Sequence, residues 1–467
     1  MNESDGTHDP RGAGSWDGAN RSTTPATAAV TRDGAGPLSR LRDVEVRHPT
    51  ADERAPANVV GGGGGAIDED AATDGSPPPN ASSHIELPAV RLLAAATDGR
   101  RAEDEDESLA ERLRRLLAAG PLDEVLAAEP ADTAEEIVAA ARRLAERAYP
   151  AGRTTARQSA RDIDHAARDA HQRALLAVYQ QHMRLPHHGL SVNQFHPLAC
   201  RVMAALESPW ERDMLARASA DRDLTSDALP AEPDAFVDWY RAAAFTHPLY
   251  EHDLYAFVAS EADRATIEWF LRMEAAGEAA FDDLVALGQV GTRGEVKIEM
   301  AQNYWDEMGN GKSHKVHTHM FHRLVEGLGI TPPAADELPW QVLAGVNVML
   351  WSCIPRRNAF RAQGALGAVE LLAPQRCTRL VHGALRVGID KRTMSYYAAH
   401  AIIDVGHAEG WLAHVVRPQV TQVPESRVGI AEGLIVRADA SLDYFDWCLA
   451  TAREGKPSGG RRAASGE

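Results

Sequence analysis

The stretch Tyr396-Tyr397-Ala398-Ala399-His400-Ala401-Ile402-Ile403-Asp404-Val405-Gly406-His407 decides how this chain is read. It sets His, Asp and His at positions i, i+4 and i+7. At 3.6 residues per turn the three side chains fall within about 60° of one another around a helix. Imidazole and carboxylate groups converging on one stripe suit a divalent metal. A satisfied core histidine explains any one of them alone. It does not explain the aspartate between them, because an uncompensated buried charge is costly.

A second polar cluster lies upstream: Trp305-Asp306-Glu307-Met308-Gly309-Asn310-Gly311-Lys312-Ser313-His314-Lys315-Val316-His317-Thr318-His319. It offers the rest of a coordination sphere, and with the triplet it points to iron on a helical scaffold. On an uninterrupted helix Glu307 and His314 share a face, whereas Glu307 and His317 lie about 80° out of phase. Gly309 and Gly311 interrupt such a helix, so phase does not choose between His314 and His317. A third piece is Glu370 in Gly364-Ala365-Leu366-Gly367-Ala368-Val369-Glu370-Leu371-Leu372. Read alone, it is a glutamate emerging at the surface. The small residues around it permit close helix packing.

Composition narrows the classes. The chain has 467 residues, with 49 Lys+Arg against 67 Asp+Glu and a net charge of −18. A general nucleic-acid binder would need a basic footprint. Cys200, Cys353, Cys377 and Cys448 form no CxxC pair, which argues against a disulfide framework or structural zinc. The N-terminus lacks the basic start and apolar run of a signal peptide. No apolar run reaches the length of a membrane span. The expectation is a reducing, cytoplasmic protein.

Residues 1–85 are rich in Gly, Pro, Asp, Ser and Thr, with Gly61 to Gly65 in one run. They read as a disordered tail, because they bury too little apolar surface to offset ordering entropy. Residues 86–185 read as a helical N-terminal extension. Ser108-Leu109-Ala110-Glu111 begins one Ala/Leu/Arg/Glu-rich run, and Thr133-Ala134-Glu135-Glu136 has the pattern of a capping box. Pro186-His187-His188-Gly189 reads as a turn. Residues 186–454 carry longer apolar helices. Helical spacing predicts them over 236–245, 263–287, 295–307, 316–328, 340–351, 364–372, 391–416 and 442–453. Pro418 is expected to stop the helix over 391–416. Residues 455–467 read as a disordered C-terminus. Strand-like alternation is nearly absent, so the fold class is all-α.

The order Glu307, His317, Glu370, His400-x3-Asp404-x2-His407 resembles the ligand set of the heme-oxygenase-like diiron oxidases and oxygenases, the iron-containing redox enzyme family. The resemblance covers about residues 190–420, and its specific parts are the closing triplet and the Asp-Glu-x-Gly-x-Gly segment. It implies a heme-oxygenase-like helical bundle. Two ferrous ions would be held by Glu307, His317, Glu370, His400, Asp404 and His407, with dioxygen as co-substrate. In the Gly-containing form of the motif the first histidine follows the glutamate by ten residues, which selects His317 over His314. A few relatives add a glutamate from the preceding helix, for which Glu274 and Glu278 are the candidates. The implied activity is oxidation of a small organic molecule by N-oxygenation, desaturation or C–C cleavage. An external reductant is implied, with no nucleic-acid or membrane partner, and a homodimer is left open. Two alternatives stand beside it: a heme-binding or heme-degrading oxygenase on the same fold, and a non-catalytic helical binding protein.

Lesser expectations concern the surroundings. Tyr396, one turn before His400, is a candidate hydrogen-bond partner for that histidine. His414 continues the stripe but reads as a helix-end residue. Arg356, Arg357 and Arg361 read as a solvated face or a site for a substrate carboxylate. His187, His188, His196, His247 and His252 fall beside prolines or near helix ends.

Overall fold

Glycine lets the two longest helices cross closely, and that crossing is the spine of the molecule. The computed structural model describes residues 108–152, 163–185, 191–275, 281–334 and 337–455. The expected tail over 1–85, the turn at Pro186–Gly189, Glu278 and the residues after Gly455 lie outside them. In chain order the helices are α1 (Leu109–Ala119), α2 (Leu122–Ala127), α3 (Thr133–Ala148), α4 (His165–Tyr179), α5 (Pro197–Ala218), α6 (Pro233–Phe245), α7 (Asp253–Ser260), α8 (Arg264–Glu274) and α9 (Phe281–Gly288). Then come α10 (Gly294–Glu307), α11 (His317–Gly327), α12 (Trp340–Cys353), α13 (Ala359–Arg386), α14 (Ser395–Gly410), α15 (Arg417–Gln422) and α16 (Ser426–Arg453). The fold is all-α, and none of the described helices is long and apolar enough to cross a membrane.

Helix α13 is the central element, packed against α14, α16 and α7. At its crossing with α16 a Cβ on Gly364 would come 2.0 Å from the carbonyl oxygen of Ile430. A Cβ on Gly433 would come 2.1 Å from that of Arg361. Neither backbone can retreat without breaking its own helix, so both positions exclude any larger residue. α12 packs on α16 on one side and on α4 on the other, which joins the N-terminal helices to the bundle. One apolar core runs from Ala110 to Leu449.

The structure corrects several helix ends. The capping box forms at Ser108, whose hydroxyl accepts from Glu111 N while the Glu111 carboxylate accepts from Ser108 N. At α3 the cap position is Asp132, and no side-chain cap forms. The helix expected over 263–287 is interrupted: α8 ends at Glu274 and α9 begins at Phe281. Helix α13 runs for 28 residues with Pro374 inside it. A mid-helix proline costs roughly 3 kcal/mol and leaves the carbonyl four residues earlier, that of Glu370, without its helical partner. Burial of the flanking turns among α14, α16 and α7 offsets this. Pro418 does not stop its helix either. Trp411–Val416 is a π-helical turn, and Pro418 then falls in the first turn of α15, where a missing N–H costs nothing.

The junction with α4 contains a titratable probe of folding. His171 is fully buried, with Nε2 3.0 Å from the Leu206 carbonyl and its ring edge-on to Tyr149. Burial pushes its pKa down to about 4. The unfolded chain takes up this proton near pH 6.5. Between those values the unfolded state binds more protons, so stability is full above the window and is lost as pH falls through it. Urea unfolding should therefore show wild-type protein losing on the order of 3 kcal/mol more than His171→Gln between pH 7 and 4. Parallel losses in the two proteins would contradict this.

Candidate metal centre

Helix α10 delivers Glu307 at its last turn, and the chain then reverses through three residues with positive φ. These are Gly309 (63°), Asn310 (53°) and Gly311 (76°). A Cβ on Gly309 would come 2.5 Å from the carbonyl carbon of Lys315, so only glycine permits the reversal. The chain re-enters a helix at His317, the first residue of α11. The outcome is that Nδ1 of His317 lies 2.7 Å from Oε2 of Glu307. His400 of α14 completes this group, its ring centroid 4.4 Å from that of His317. Nδ1 of His400 lies 2.9 Å from the Tyr396 carbonyl, which leaves Nε2 as the nitrogen not engaged by that carbonyl. The expected Tyr396 partnership is thus made by its backbone, while its ring packs against the imidazole at 4.3 Å.

The second group joins α13 to α14. Nδ1 of His407 lies 3.4 Å from Glu370 Oε2 and 3.7 Å from Asp404 Oδ1. Asn303 of α10 donates to Glu370 Oε1 at 3.0 Å. Within each group, Glu307/His317/His400 and Glu370/Asp404/His407, one ligand atom per residue lies within 4.8 Å of the others. All of these residues are buried except His400, which is half-buried.

The electrostatics test whether cations fit. Burial raises the Glu307 carboxyl pKa, opposed by nearby His317 and reinforced by Glu370. Burial also pushes Asp404 well up, with the like charge of Glu370 adding to it. Burial lowers His400 to about 3, with His317 adding to the effect. For His407 burial acts downward, but Asp306 and Glu370 outweigh it and bring the value to about 11. Nδ1 of His317 and of His407 are both buried without a partner in hydrogen-bond geometry. Each faces carboxylate oxygens instead. Crowded acids and orphaned nitrogens on common points are what metal ions would satisfy.

A cavity of about 200 Å³ borders both groups, reaching Glu307, Glu370, His400 and Asp404. The rest of its wall is largely apolar, from residues such as Leu343, Val346, Met349 and Leu372.

Other candidates fall elsewhere. His314 is exposed on the turn before α11. Glu274 is buried, ion-paired with Arg376 and part of neither cluster, but it lines the same cavity. Within the π-turn His414 is exposed and meets Glu295 at 2.6 Å. Arg356 and Arg357 of the arginine group are exposed, as a solvated face would be, and all three arginines have partners within the protein. Arg356 donates to the carbonyls of Leu287, Val290 and Cys353, Arg357 to Glu207 and Glu211, and Arg361 to Glu432 and Asn358. His196 and His252 cap helix starts, accepting from Leu198 N and Leu254 N, and His247 accepts from Leu249 N in the turn after α6. Asp306 and Asn303 touch the centre but were not singled out from sequence. The only available signal for Asp306 was its place beside Glu307.

Comparison with known families agrees with this geometry. Residues 268–442 match the model of the family described as iron-containing redox enzyme. Every residue of the two clusters lies inside that segment, which sits later in the chain than the 190–420 suggested by resemblance. Iron is the metal that the description of this redox-enzyme family names. No curated protein matches the chain.

The geometry separates the two histidines of the Gly-Asn-Gly segment. His317→Ala should lower bound iron per chain, whereas His314→Ala should retain the wild-type content, both read by metal analysis after anaerobic ferrous loading. Full iron in His317→Ala would contradict the clusters.

Proposed function

We propose that the protein is a non-heme diiron enzyme that uses dioxygen to oxidise a small organic substrate. The observation that carries this reading is the pair of buried His/carboxylate clusters side by side on one wall of an apolar cavity. Glu307, His317 and His400 would hold one ion, and Glu370, Asp404 and His407 the other. Bound iron supplies the one-electron steps that dioxygen chemistry requires.

The chain's own residues do the rest. Carboxylates from α10, α13 and α14 neutralise the cations and stay ionised because of them. The two clusters differ in charge, one having a single carboxylate and two histidines, the other two carboxylates and one histidine. The apolar wall excludes water and holds the substrate against Glu307, Glu370, His400 and Asp404. Such a wall favours a substrate with an apolar body over a highly polar one. An external reductant restores the ferrous state between turnovers. N-oxygenation, desaturation and C–C cleavage are all compatible with this arrangement, and the cavity residues choose among them.

Anaerobic titration with ferrous iron should reach two ions per chain, and later exposure to air should consume dioxygen in an oxygen-electrode assay. Asp404→Ala should remain folded, since losing a buried acid also removes a desolvation cost. It should lose more than the roughly 10–100-fold in metal affinity that removal of an outer partner costs. Oxygen uptake by Asp404→Ala at the wild-type rate would refute the assignment. Wild-type protein with two irons and no reaction with oxygen would refute the proposed chemistry.

A further inference from the structure

Asp306 and Glu307 are neighbours in the chain but face different clusters. Glu307 stands against His317 at 2.7 Å. Asp306 reaches the other group, with Oδ2 3.2 Å from Nε2 of His407. Its second oxygen, Oδ1, accepts a hydrogen bond of 2.8 Å from Nδ2 of Asn310. Asn310 is the one non-glycine residue with positive φ among the described residues. Asparagine tolerates that region better than most side chains. Its amide therefore points back one turn onto Asp306, while its backbone completes the reversal that brings His317 to Glu307.

We propose that Asp306, anchored by Asn310, is a positioning residue that holds His407 with Nε2 protonated, so that Nδ1 is presented to a metal between Glu370 and Asp404. The inference rests on the two-metal reading above. An imidazole whose Nε2–H is held by a carboxylate keeps its lone pair on Nδ1, and the anionic partner makes that nitrogen a stronger donor. His407 Nδ1 has the matching environment, buried, without a hydrogen-bond partner and facing two carboxylates. His400 shows the opposite arrangement. Its Nδ1 meets the Tyr396 carbonyl, and Nε2 is left for the metal. The backbone thus orients one histidine and a side chain orients the other. A change at Asp306 should therefore weaken the Glu370/Asp404/His407 cluster alone.

The test uses the full-length chain, stripped of metal and titrated with zinc(II) in competition with a chromophoric chelator. Wild-type protein should bind two zinc ions. Asp306→Ala should weaken one of the two by about 10–100-fold and leave the other unchanged. Asn310→Gly keeps the positive-φ backbone without strain and removes only the amide, so it should weaken the same ion by a smaller factor. Asp306→Asn retains an acceptor oxygen and should recover part of the loss. Nitrogen-15 NMR of histidine-labelled, zinc-loaded protein supplies a readout that overall stability does not move. His407 should show zinc on Nδ1 and a proton on Nε2 in wild type, and a mixed or reversed pattern in Asp306→Ala. Two zinc ions bound as tightly as in wild type, with Nδ1 still coordinated, would overturn the proposal. So would equal weakening of both ions together with a lowered melting temperature, the mark of a structural role. A wild-type chain that binds no zinc among Glu370, Asp404 and His407 would instead contradict the two-metal reading, and the proposal with it.

Discussion

The structure depends on placing acidic side chains where a helical bundle ordinarily places leucine. Glu307, Glu370 and Asp404 are 4%, 2% and 3% exposed, and the charge of Glu370 adds to the burial that raises the proton affinity of Glu307 and Asp404. Such a group is unfavourable unless protons, histidines or cations compensate it. Burial and neighbouring charges favour a proton on Asp404, and Asp306 and Glu370 favour one on His407. Metal ions bound there would displace such protons, which would link metal loading to proton release. The rest of the fold keeps the acids together against that cost. α13 holds Glu370 deep in the bundle because Gly364 and Gly433 let it lie directly on α16. Gly367 makes room for Trp411, whose indole N–H donates to the Gln363 carbonyl and ties the π-turn after α14 to the same helix.

Much of this was legible in the sequence, and the misses have physical causes. The His400/Asp404/His407 stripe could be read because one regular helix carries it, and helical phase is reliable within a helix. The Glu307–His317 contact could not be read by phase. It is made by a Gly-Asn-Gly reversal whose three positive-φ residues reset the direction of the chain. The family resemblance, not spacing, selected His317 and lifted Glu370 above the surface reading. Helix ends were read less well near proline: the helix read over 364–372 continues through Pro374, and Pro418 was taken as a stop. Pro374 is carried by tertiary packing, and Pro418 by a π-turn that renumbers the helical positions after it. The partners of the arginine cluster could not be read because Glu207, Glu211 and Glu432 lie far away in sequence. Asp306 escaped notice for the same reason, since its partner His407 lies on another helix.

The cavity gives the centre its setting. Its apolar wall meets the clusters on the side of Glu307, Glu370, His400 and Asp404. Asp306 approaches His407 from a carboxylate that is itself partly exposed and held by Asn310. The cavity thus meets the centre on one side while Asp306 meets His407 on another. The last turn of α10 faces both clusters, through Glu307 for one and Asp306 for the other.

The central claim is that these two clusters are two metal sites. Diffraction from iron-loaded crystals at the iron absorption edge tests it most directly. The account predicts two anomalous peaks, one among Glu307, His317 and His400 and one among Glu370, Asp404 and His407, each about 2 Å from its ligand atoms. A single peak, or iron located away from both groups, would contradict it.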